Sequence, residues 1–215
     1  MEHQVSQRRQ PVQARSRETV ARLLRAAEQL IEAEGPGALT TSAVAERAGV
    51  SPASLYRFFA GRDELFDALL IELLADLDRH AATQEATWRI GSVGDFVDRE
   101  LDLHVTYYEQ HASLGRLWFG GRVSPAIRAA VHERNQTLAI RGRETLVAAG
   151  LLSPDVPERA LILLVELGDR ILDLAFRAGP RADRDLVELG RAALRAYLEQ
   201  VAAGPVAGSA VASDR

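Results

Sequence analysis

Apolar side chains recur at helical spacing along most of the chain. Between Ser16 and Glu34 they return every three or four residues, which predicts an amphipathic helix that Gly35 and Pro36 would end. The same spacing, broken at glycine and proline, predicts eight further helices: two short ones within 39–60, then longer ones at about 63–79, 96–111, 112–119, 124–149, 157–179 and 183–201. No segment alternates like a strand and no internal repeat is present. We therefore predict an all-α fold of about nine helices.

The two short helices are separated by a tight turn. Gly49 can end the first of them, because glycine adopts the left-handed C-cap conformation without a steric penalty. Ser51 is a favourable N-cap and Pro52 suits a first helical position, so a second helix follows at once. Ala45 is small where the second helix must cross closely, and Leu55 is large enough to fill the angle between them. This is the layout of a helix-turn-helix, whose second helix can enter a DNA major groove.

The two ends of the chain lack this periodicity. Residues 1–14 are polar and include Arg8 and Arg9, and residues 203–215 are mostly small, so we expect both segments to be disordered. A short basic arm before a helix-turn-helix can lie along a minor groove, although it can equally be a solvated tail.

Composition excludes several classes of protein. Hydrophobic residues make up 47% of the 215 residues, enough for a real core. The chain has no cysteine, which removes disulfides, thiolate zinc sites and cysteine nucleophiles. It also lacks an apolar run of the ~18 residues that span a bilayer, and no apolar segment of a signal peptide follows the polar start MEHQVSQRRQ. We expect a soluble cytoplasmic protein with no membrane partner.

The distribution of charge distinguishes the two parts of the chain. The net charge is −4, yet residues 1–62 contain nine arginines and only six acidic residues. Residues 63–215 contain seventeen arginines and twenty-four acidic residues. A basic N-terminal part attached to an acidic body suits a DNA-binding domain joined to a domain with another role.

No catalytic motif accompanies the predicted helices. The sequence contains no GxSxG, P-loop or HExxH pattern, so we predict no enzymatic activity and no cofactor. Glu100, His104 and His111 have spacing compatible with a metal site, but a catalytic cluster would need more specific ligand geometry. We predict no metal site.

The segment from Leu39 to Leu65 contains four features in order. They are Thr40-Thr41 before the first short helix, AERAGVS at the turn, LYR in the second helix, and FAGRDEL opening the next helix. Together they are specific, and the segment resembles the DNA-binding region of TetR-type transcriptional regulators. Beyond this segment the helices resemble that family in pattern and position only.

The resemblance implies a set of DNA contacts. Thr41, Tyr56 and Arg62 match positions that touch phosphates, and Arg62 keeps the charge of a lysine that is usual there. The positions that face bases or the groove edge are Ser42, Pro52, Ala53, Ser54 and Arg57, and we add the adjacent Ser51. Pro52 and Ala53 could offer only apolar contact to a thymine methyl group, whereas Arg57 could bind guanine or rest on phosphate. Tyr56 could also anchor its helix.

The resemblance also implies an effector pocket in the C-terminal body. Polar and aromatic residues that recur on one helix face, or follow soon after it, are candidates to line such a pocket. They are Glu100, His104, Tyr108, His111, Trp118, Phe119, His132 and Asn135. Any one of them could instead belong to the core.

The last two predicted helices carry broad apolar stripes. In the family such helices form a dimer contact, and we favour that role over closure of the monomer's own core. The predicted interface residues are Leu161, Leu164, Val165, Gly168, Leu172, Leu186, Leu189, Gly190, Ala193, Leu194 and Tyr197.

These expectations combine into one hypothesis. The chain has a disordered arm at 1–14, a helix-turn-helix domain at 15–62, a helical ligand-binding and dimerisation domain at 63–202 and a disordered tail at 203–215. It is expected to be a homodimeric repressor that binds a near-palindromic double-stranded operator and responds to an unidentified small-molecule effector. A DNA-binding regulator without an effector is the alternative, and an all-helical enzyme is a more distant one.

Overall fold

The computed structural model describes residues 9–120 and 124–204 of the chain. The described residues contain nine α-helices, one short 3₁₀ helix at Pro36–Ala38 and no strand, which confirms the all-α prediction. The α-helices are α1 (Arg9–Glu34), α2 (Thr41–Arg47), α3 (Pro52–Tyr56), α4 (Arg62–Glu85), α5 (Val93–Gln110), α6 (Ala112–Gly120), α7 (Pro125–Ala148), α8 (Glu158–Ala175) and α9 (Arg184–Ala202). None of these helices is both long and apolar enough to cross a membrane.

The chain divides into two compact units. The first unit comprises the chain up to Arg79 together with His111–Ser124, and the second comprises His80–Gln110 and the chain from Pro125 onward. This division differs from the expected boundary at residue 62, since the first unit includes α6 and most of α4. The reason is packing: the apolar face of α4 is buried from Leu65 to Leu77, and α6 packs against α1.

The first unit is built around the apolar faces of α1 and α4. Leu23 and Ile31 of α1, Leu55 of α3 and Leu65 of α4 are fully buried, each such burial contributing roughly 1.5–3 kcal/mol. The C-terminal end of α1 is capped by α6, because Arg116 Nη1 donates to the carbonyl oxygens of Ile31 at 2.9 Å and Glu32 at 3.1 Å. A cation is favourable there because it lies at the negative end of the helix dipole.

The second unit packs α5, α7, α8 and α9 around one core. All four helices contribute apolar side chains to this core. They include Phe96 and Val97 of α5, Ala139 and Leu146 of α7, Leu161 and Leu164 of α8, and Leu194 and Leu198 of α9. Helices α8 and α9 approach closely, because a Cβ on Gly190 would lie 2.3 Å from Ile171 Cγ2. Hydrogen bonds join α9 to α5, because Arg191 and Arg195 of α9 both donate to Asp98 of α5.

Several helix boundaries differ from those predicted, and α8, for example, ends at Ala175 rather than near residue 179. α1 begins at Arg9 rather than Ser16, so the disorder expected over 1–14 is wrong for 9–14, and residues 1–8 lie outside the described range. The extra turns are rich in glutamine, alanine and arginine, which favour helix, and Pro11 is tolerated because it falls in the first turn. α4 likewise continues to Glu85 through helix-favouring residues. The expected tail begins after α9 ends at Ala202, and residues 205–215 are outside the described range.

The start of α5 carries a signal that periodicity missed. Ser92 Oγ accepts a hydrogen bond from Asp95 N at 3.0 Å, and Asp95 Oδ2 accepts one from Gly91 N at 3.1 Å. This reciprocal cap resembles a capping box and begins the helix at Val93, three residues before the predicted start at Phe96.

Candidate functional site

The turn between α2 and α3 is formed by short-range contacts. Gly49 has a φ of +63°, the left-handed conformation expected at this C-cap. Val50 N then donates to Ala45 O at 3.0 Å, which folds the chain back over α2. Ser51 caps α3 through its Oγ, which accepts from Ser54 N at 3.2 Å. The buried Ala45 and Leu55 fix the two helices against each other, so the predicted helix-turn-helix is present.

One side of this motif faces solvent. Ser42 of α2, most of the predicted DNA-contacting residues of α3 and the following Arg57 are exposed, and Ser54 is half-buried. Tyr56 is 54% exposed although its neighbour Leu55 is fully buried. Its hydroxyl lies 3.1 Å from Thr41 Oγ1, which places two predicted phosphate-contacting groups of α2 and α3 side by side. Arg57 extends over the Phe58 ring, with 5.7 Å between the guanidinium carbon and the ring centroid.

Arg62 has a structural contact that the sequence did not indicate. Its Nε donates to Leu39 O at 2.6 Å and its Nη2 donates to Pro36 O at 3.1 Å. The side chain therefore links the first residue of α4 to the connection between α1 and α2. Arginine has five N–H donors, so these two bonds leave others available to a phosphate.

The second unit contains a cavity of about 110 Å³ between its helices. Apolar side chains form most of its wall, notably Phe96, Leu101, Leu161 and Leu164, and Trp88 contributes an indole ring. The polar residues on the wall are Glu85, Glu100, His104, Arg141, Thr145 and Asp169. A mainly apolar space with a few polar groups is typical of a small-molecule site.

Some charged groups of the cavity have hydrogen-bond partners, and Glu100 has a shifted pKa. Arg141 Nη2 donates to Glu85 Oε1 at 2.8 Å, and Asp169 Oδ2 accepts from Asn135 Nδ2 at 2.8 Å. Burial, with a smaller contribution from the nearby Glu85, raises the pKa of Glu100 to about 8. Near neutral pH most molecules therefore hold this carboxyl in its protonated form.

Only two of the eight residues predicted for a pocket line this cavity, Glu100 and His104. Tyr108 is buried and packs on Phe176 with 5.6 Å between ring centroids, while Asn135 is buried beside Glu166 and Asp169. His132 is exposed. His111, Trp118 and Phe119 belong to the first unit.

The polar cavity residues that the sequence did not indicate come from other elements. Glu85 lies in the last turn of α4, where a loop was expected, and Trp88 lies in the following connection. Arg141 and Thr145 are four residues apart on α7. That spacing was the available signal, but α7 carries polar residues on every side, so its inner face could not be read from the sequence. Across the described residues, no group of three or more His, Cys, Asp or Glu side chains is placed to hold a metal ion.

Half of the predicted dimer face lies inside the second unit. Leu161, Leu164, Leu172 and Leu194 are buried and line the cavity, and Val165 and Gly168 also line it. Gly190 meets Ile171 of the same chain, Leu186 is half-buried, and Tyr197 donates to Ala160 O at 3.0 Å. Leu189 and Ala193 are exposed. The large apolar residues exposed on the two helices are instead Leu163 (48%), Leu167 (39%) and Leu189 (70%).

Comparisons with known proteins agree with this architecture. Residues 23–69 match a family model described as bacterial regulatory proteins of the tetR family, and residues 91–202 match one described as the C-terminal domain of tetracyclin repressor-like proteins. No curated protein matches the chain significantly.

Solved structures are similar over most of the chain. A TetR-family transcriptional regulator from Streptomyces coelicolor has 29% identity, with 85% of this chain and 99% of that chain covered and a TM-score of 0.64. A TetR/AcrR-family regulator from Thermobifida fusca shares the fold at 18% identity, covering 83% and 97% with a TM-score of 0.59. A TetR-family regulator from Marinobacter aquaeolei does so at 17% identity, covering 86% and 97% with a TM-score of 0.54. The chain belongs to the TetR family and is a DNA-binding transcriptional regulator rather than an enzyme.

Proposed function

We propose that the protein is a homodimeric repressor, working in the cytoplasm, whose operator affinity changes when a small molecule occupies the cavity of the second unit. The cavity is the observation that carries this proposal. A regulator that only dimerised would gain stability by filling that space, since each missing methylene contact costs roughly 1 kcal/mol. A cavity with Glu100, Arg141 and Asp169 on its wall is better explained by a ligand.

The DNA-binding surface in this proposal is the exposed side of α2 and α3. Thr41 and Tyr56 would donate their hydroxyls to phosphate oxygens, which positions the motif without reading sequence. Pro52 and Ala53 would face the major groove, where they can contact thymine methyl groups. Arg57, the C-cap residue of α3, has a long side chain with several hydrogen-bond donors. It would bind guanine or the flanking phosphate.

The proposed dimer contact uses the exposed faces of α8 and α9. Leu163 and Leu167 are four residues apart and share one face of α8, while Leu189 and Ala193 do the same on α9. Exposed aliphatic side chains concentrated on two adjacent helices are typical of a protein interface. A two-fold dimer would present two α3 helices to half-sites related by the same symmetry.

The response to a ligand would pass through α4. This helix runs without interruption from Arg62 to Glu85, and its residues belong to the first unit up to Arg79 and to the second from His80. A ligand that binds one arrangement of the dimer better shifts the population toward it. If the two α3 helices are then no longer spaced by ~34–36 Å, they cannot occupy successive major grooves and operator affinity falls.

The first experiment is selection of bound DNA from a random duplex library at a stated, moderate salt concentration. We expect a near-palindrome whose half-sites are one helical turn apart. Arg57→Ala should relax preference at one base position if Arg57 reads a base, whereas Tyr56→Phe should weaken binding to all sequences alike. The exposed Ile71→Ala variant, outside α2 and α3, is the control. Absence of enrichment would contradict specific operator binding.

The recovered operator then tests the ligand response. A library of small molecules is screened for release of labelled operator, and each active compound is tested again on a variant whose cavity is filled by Gly168→Leu. A Cβ at Gly168 meets no atom within 4 Å, and Gly168 lies on the cavity wall, so the larger side chain has space there. Release that the variant loses supports the proposal. A protein that keeps its operator with every compound would be an effector-independent regulator.

A further inference from the structure

Glu100 is an ionisable side chain in an apolar cavity without a hydrogen bond of its own. Among the described residues no donor reaches its carboxyl group: His104 Nδ1 bonds to the backbone oxygen of Glu100 at 2.8 Å and stays 3.8 Å from Oε2. The side chain is largely buried, with 26% of its surface exposed. A largely buried carboxyl group without a hydrogen bond is costly, so its place on the cavity wall points to a ligand that supplies one.

The surroundings of Glu100 determine the charge of that ligand. Glu85 of α4 and Asp169 of α8 are also on the wall, whereas Arg141 of α7 is the one arginine there and is paired with Glu85 at 2.8 Å. Arg134 of α7 acts on Glu100 more weakly than Arg141 does, and α9 contributes the apolar Leu194. An anionic ligand would therefore meet three carboxyl groups and one guanidinium group, that of Arg141, which is already paired with Glu85.

We propose that the cavity binds a small apolar molecule carrying a protonated amine, and that the ammonium group pairs with the Glu100 carboxylate. This inference rests on the proposed function, since it names the ligand of the same cavity. The volume of about 110 Å³ is smaller than the ~150 Å³ of an apolar cavity that holds benzene, so the apolar part of the ligand can be no larger than one ring. Trp88 adds an indole ring, the aromatic group that attracts cations most strongly.

Binding of such a ligand is linked to a proton. In the empty cavity burial raises the pKa of Glu100 to about 8, so the carboxyl is mostly protonated at pH 7. The ammonium group favours the carboxylate form, so the O–H bond breaks, the proton passes to solvent and an ion pair forms. One proton is released per amine bound, and affinity rises as pH approaches the pKa of the free carboxyl.

Three probes with one ring and different head groups test the charge of the ligand: benzylamine, benzyl alcohol and benzoate. Binding to the full-length protein at pH 7 is measured by titration calorimetry or by ligand-observed NMR. We expect benzylamine to bind at least about tenfold more tightly than the other two, the factor expected for one charge-assisted hydrogen bond. Equal affinities, a preference for benzoate, or no binding of any probe at millimolar concentration would overturn the inference.

Variants assign the preference to Glu100. Glu100→Gln keeps the shape of the side chain and should lower benzylamine affinity about tenfold while leaving benzyl alcohol unaffected. Glu144→Gln changes an exposed carboxylate on the same helix as Arg141 and should leave all three affinities unchanged. A Glu100→Gln protein that retains the wild-type preference, with circular dichroism confirming that it is folded, would overturn the assignment.

Proton release gives a second readout. Calorimetry in two buffers of different ionisation enthalpy should show close to one proton released on benzylamine binding at pH 7, and none for Glu100→Gln. Affinity should rise several-fold between pH 7 and pH 8.

Operator release is measured separately. Release by compounds without an amine would overturn this inference and leave the proposed effector role of the cavity intact. If benzylamine binds but no compound releases the operator, this inference stands and the proposed effector role of the cavity is overturned.

Discussion

Arg62 joins two segments of the first unit through one side chain. Its guanidinium donates to Leu39 O and Pro36 O, so the start of α4 is tied to the turn that leads from α1 into α2. Glu64 Oε2 accepts from Ala60 N at the same end of α4 and adds a cap. A residue that the resemblance assigns to phosphate binding is thus also a positioning residue for the motif.

Two substitutions separate these roles of Arg62. Arg62→Lys keeps the charge but cannot reproduce two bonds from a planar fork, so it should lower the free energy of unfolding by about 1 kcal/mol. Arg62→Ala should do the same and also weaken DNA binding at every sequence, with a smaller salt slope. Urea unfolding and salt-dependent anisotropy measure the two effects. Equal loss of DNA affinity in both variants would argue that geometry, rather than charge, is what DNA binding needs.

Gly190 allows α8 and α9 to pack closely, because it has no side chain at their contact. A Cβ there would lie 2.3 Å from Cγ2 and 2.9 Å from Cδ1 of Ile171, and a β-branched side chain on a helix has little freedom to move aside. Gly190, which was predicted for a dimer interface, therefore makes its close contact within one chain, between α8 and α9.

Gly190→Ala should destabilise the protein by about 1–3 kcal/mol, the usual cost of overpacking. Gly168→Ala is the matched control, because it also replaces a mid-helix glycine but meets no atom within 4 Å. It should stabilise by about 0.5–1 kcal/mol through the lower entropy of the unfolded chain. Unfolding in urea measures both. Ile171→Ala should suppress the effect of Gly190→Ala, and failure to do so would contradict the assigned clash.

At the scale of elements, charge pairs join α5 to α9. Arg195 Nε donates to Asp98 Oδ1 at 2.7 Å, Arg191 Nη1 donates to the same atom at 3.3 Å, and Arg191 Nη2 donates to Asp102 at 2.6 Å. The hydrogen bonds from Arg195 and then Arg191 hold the pKa of Asp98 below its usual range, against the opposing effect of burial. These pairs stabilise α9 against α5 only while Asp98 is ionised.

The contribution of Asp98 should therefore depend on pH. Because its pKa is lower in the folded state, its stabilisation is complete above the unfolded value of about 3.9 and is lost as pH falls through the folded value. Asp98→Asn should be less stable than wild type at pH 7 by about 1–2 kcal/mol. The difference should shrink below about pH 4. Urea unfolding from pH 7 to pH 3 measures it, with the exposed Asp155→Asn as control; a difference independent of pH would contradict the ion-pair explanation.

At the scale of the whole molecule, the exposed leucines of α8 and α9 are the apolar surface left over once the second unit has formed its core. Leu163 and Leu167 of α8 are exposed, whereas Leu161 and Leu164 of the same helix are buried. The same helix thus contributes some leucines to the core and exposes others, to which we have proposed that a partner binds. We expect that partner to be a second copy of the chain.

Replacing Leu167 and Leu189 together by glutamate should convert the dimer to a monomer, because unpaired charges would be buried at the contact. Ile71→Glu is the control, since Ile71 is a similarly exposed aliphatic residue (50%) of α4 in the first unit. Light scattering coupled to size exclusion measures the mass, and circular dichroism checks the fold. A wild-type protein that is already monomeric at micromolar concentration, or a dimer unaffected by both glutamates, would contradict the proposed interface.

The local sequence by itself determined the helices, the helix-turn-helix and the exposed positions of α3. Gly49, Ser51 and Pro52 act through dihedral preferences and hydrogen bonds that span a few residues, so their consequences can be read without the rest of the chain. Only the tertiary structure decided which side of α8 faces inward. LILLVELG carries apolar residues on every side, and the packing of α7 and α9 selects Leu161 and Leu164 for the core over Leu163 and Leu167.

The cavity follows the same division. Glu100 and His104 were predicted because they are one helical turn apart on α5, a relation that the sequence contains. Glu85, Arg141 and Asp169 come from α4, α7 and α8, and their meeting depends on how those helices cross. Crossing angles arise from side-chain packing among residues distant in sequence. The sequence determined which groups could form a site, and tertiary packing decided which charged groups share the cavity wall.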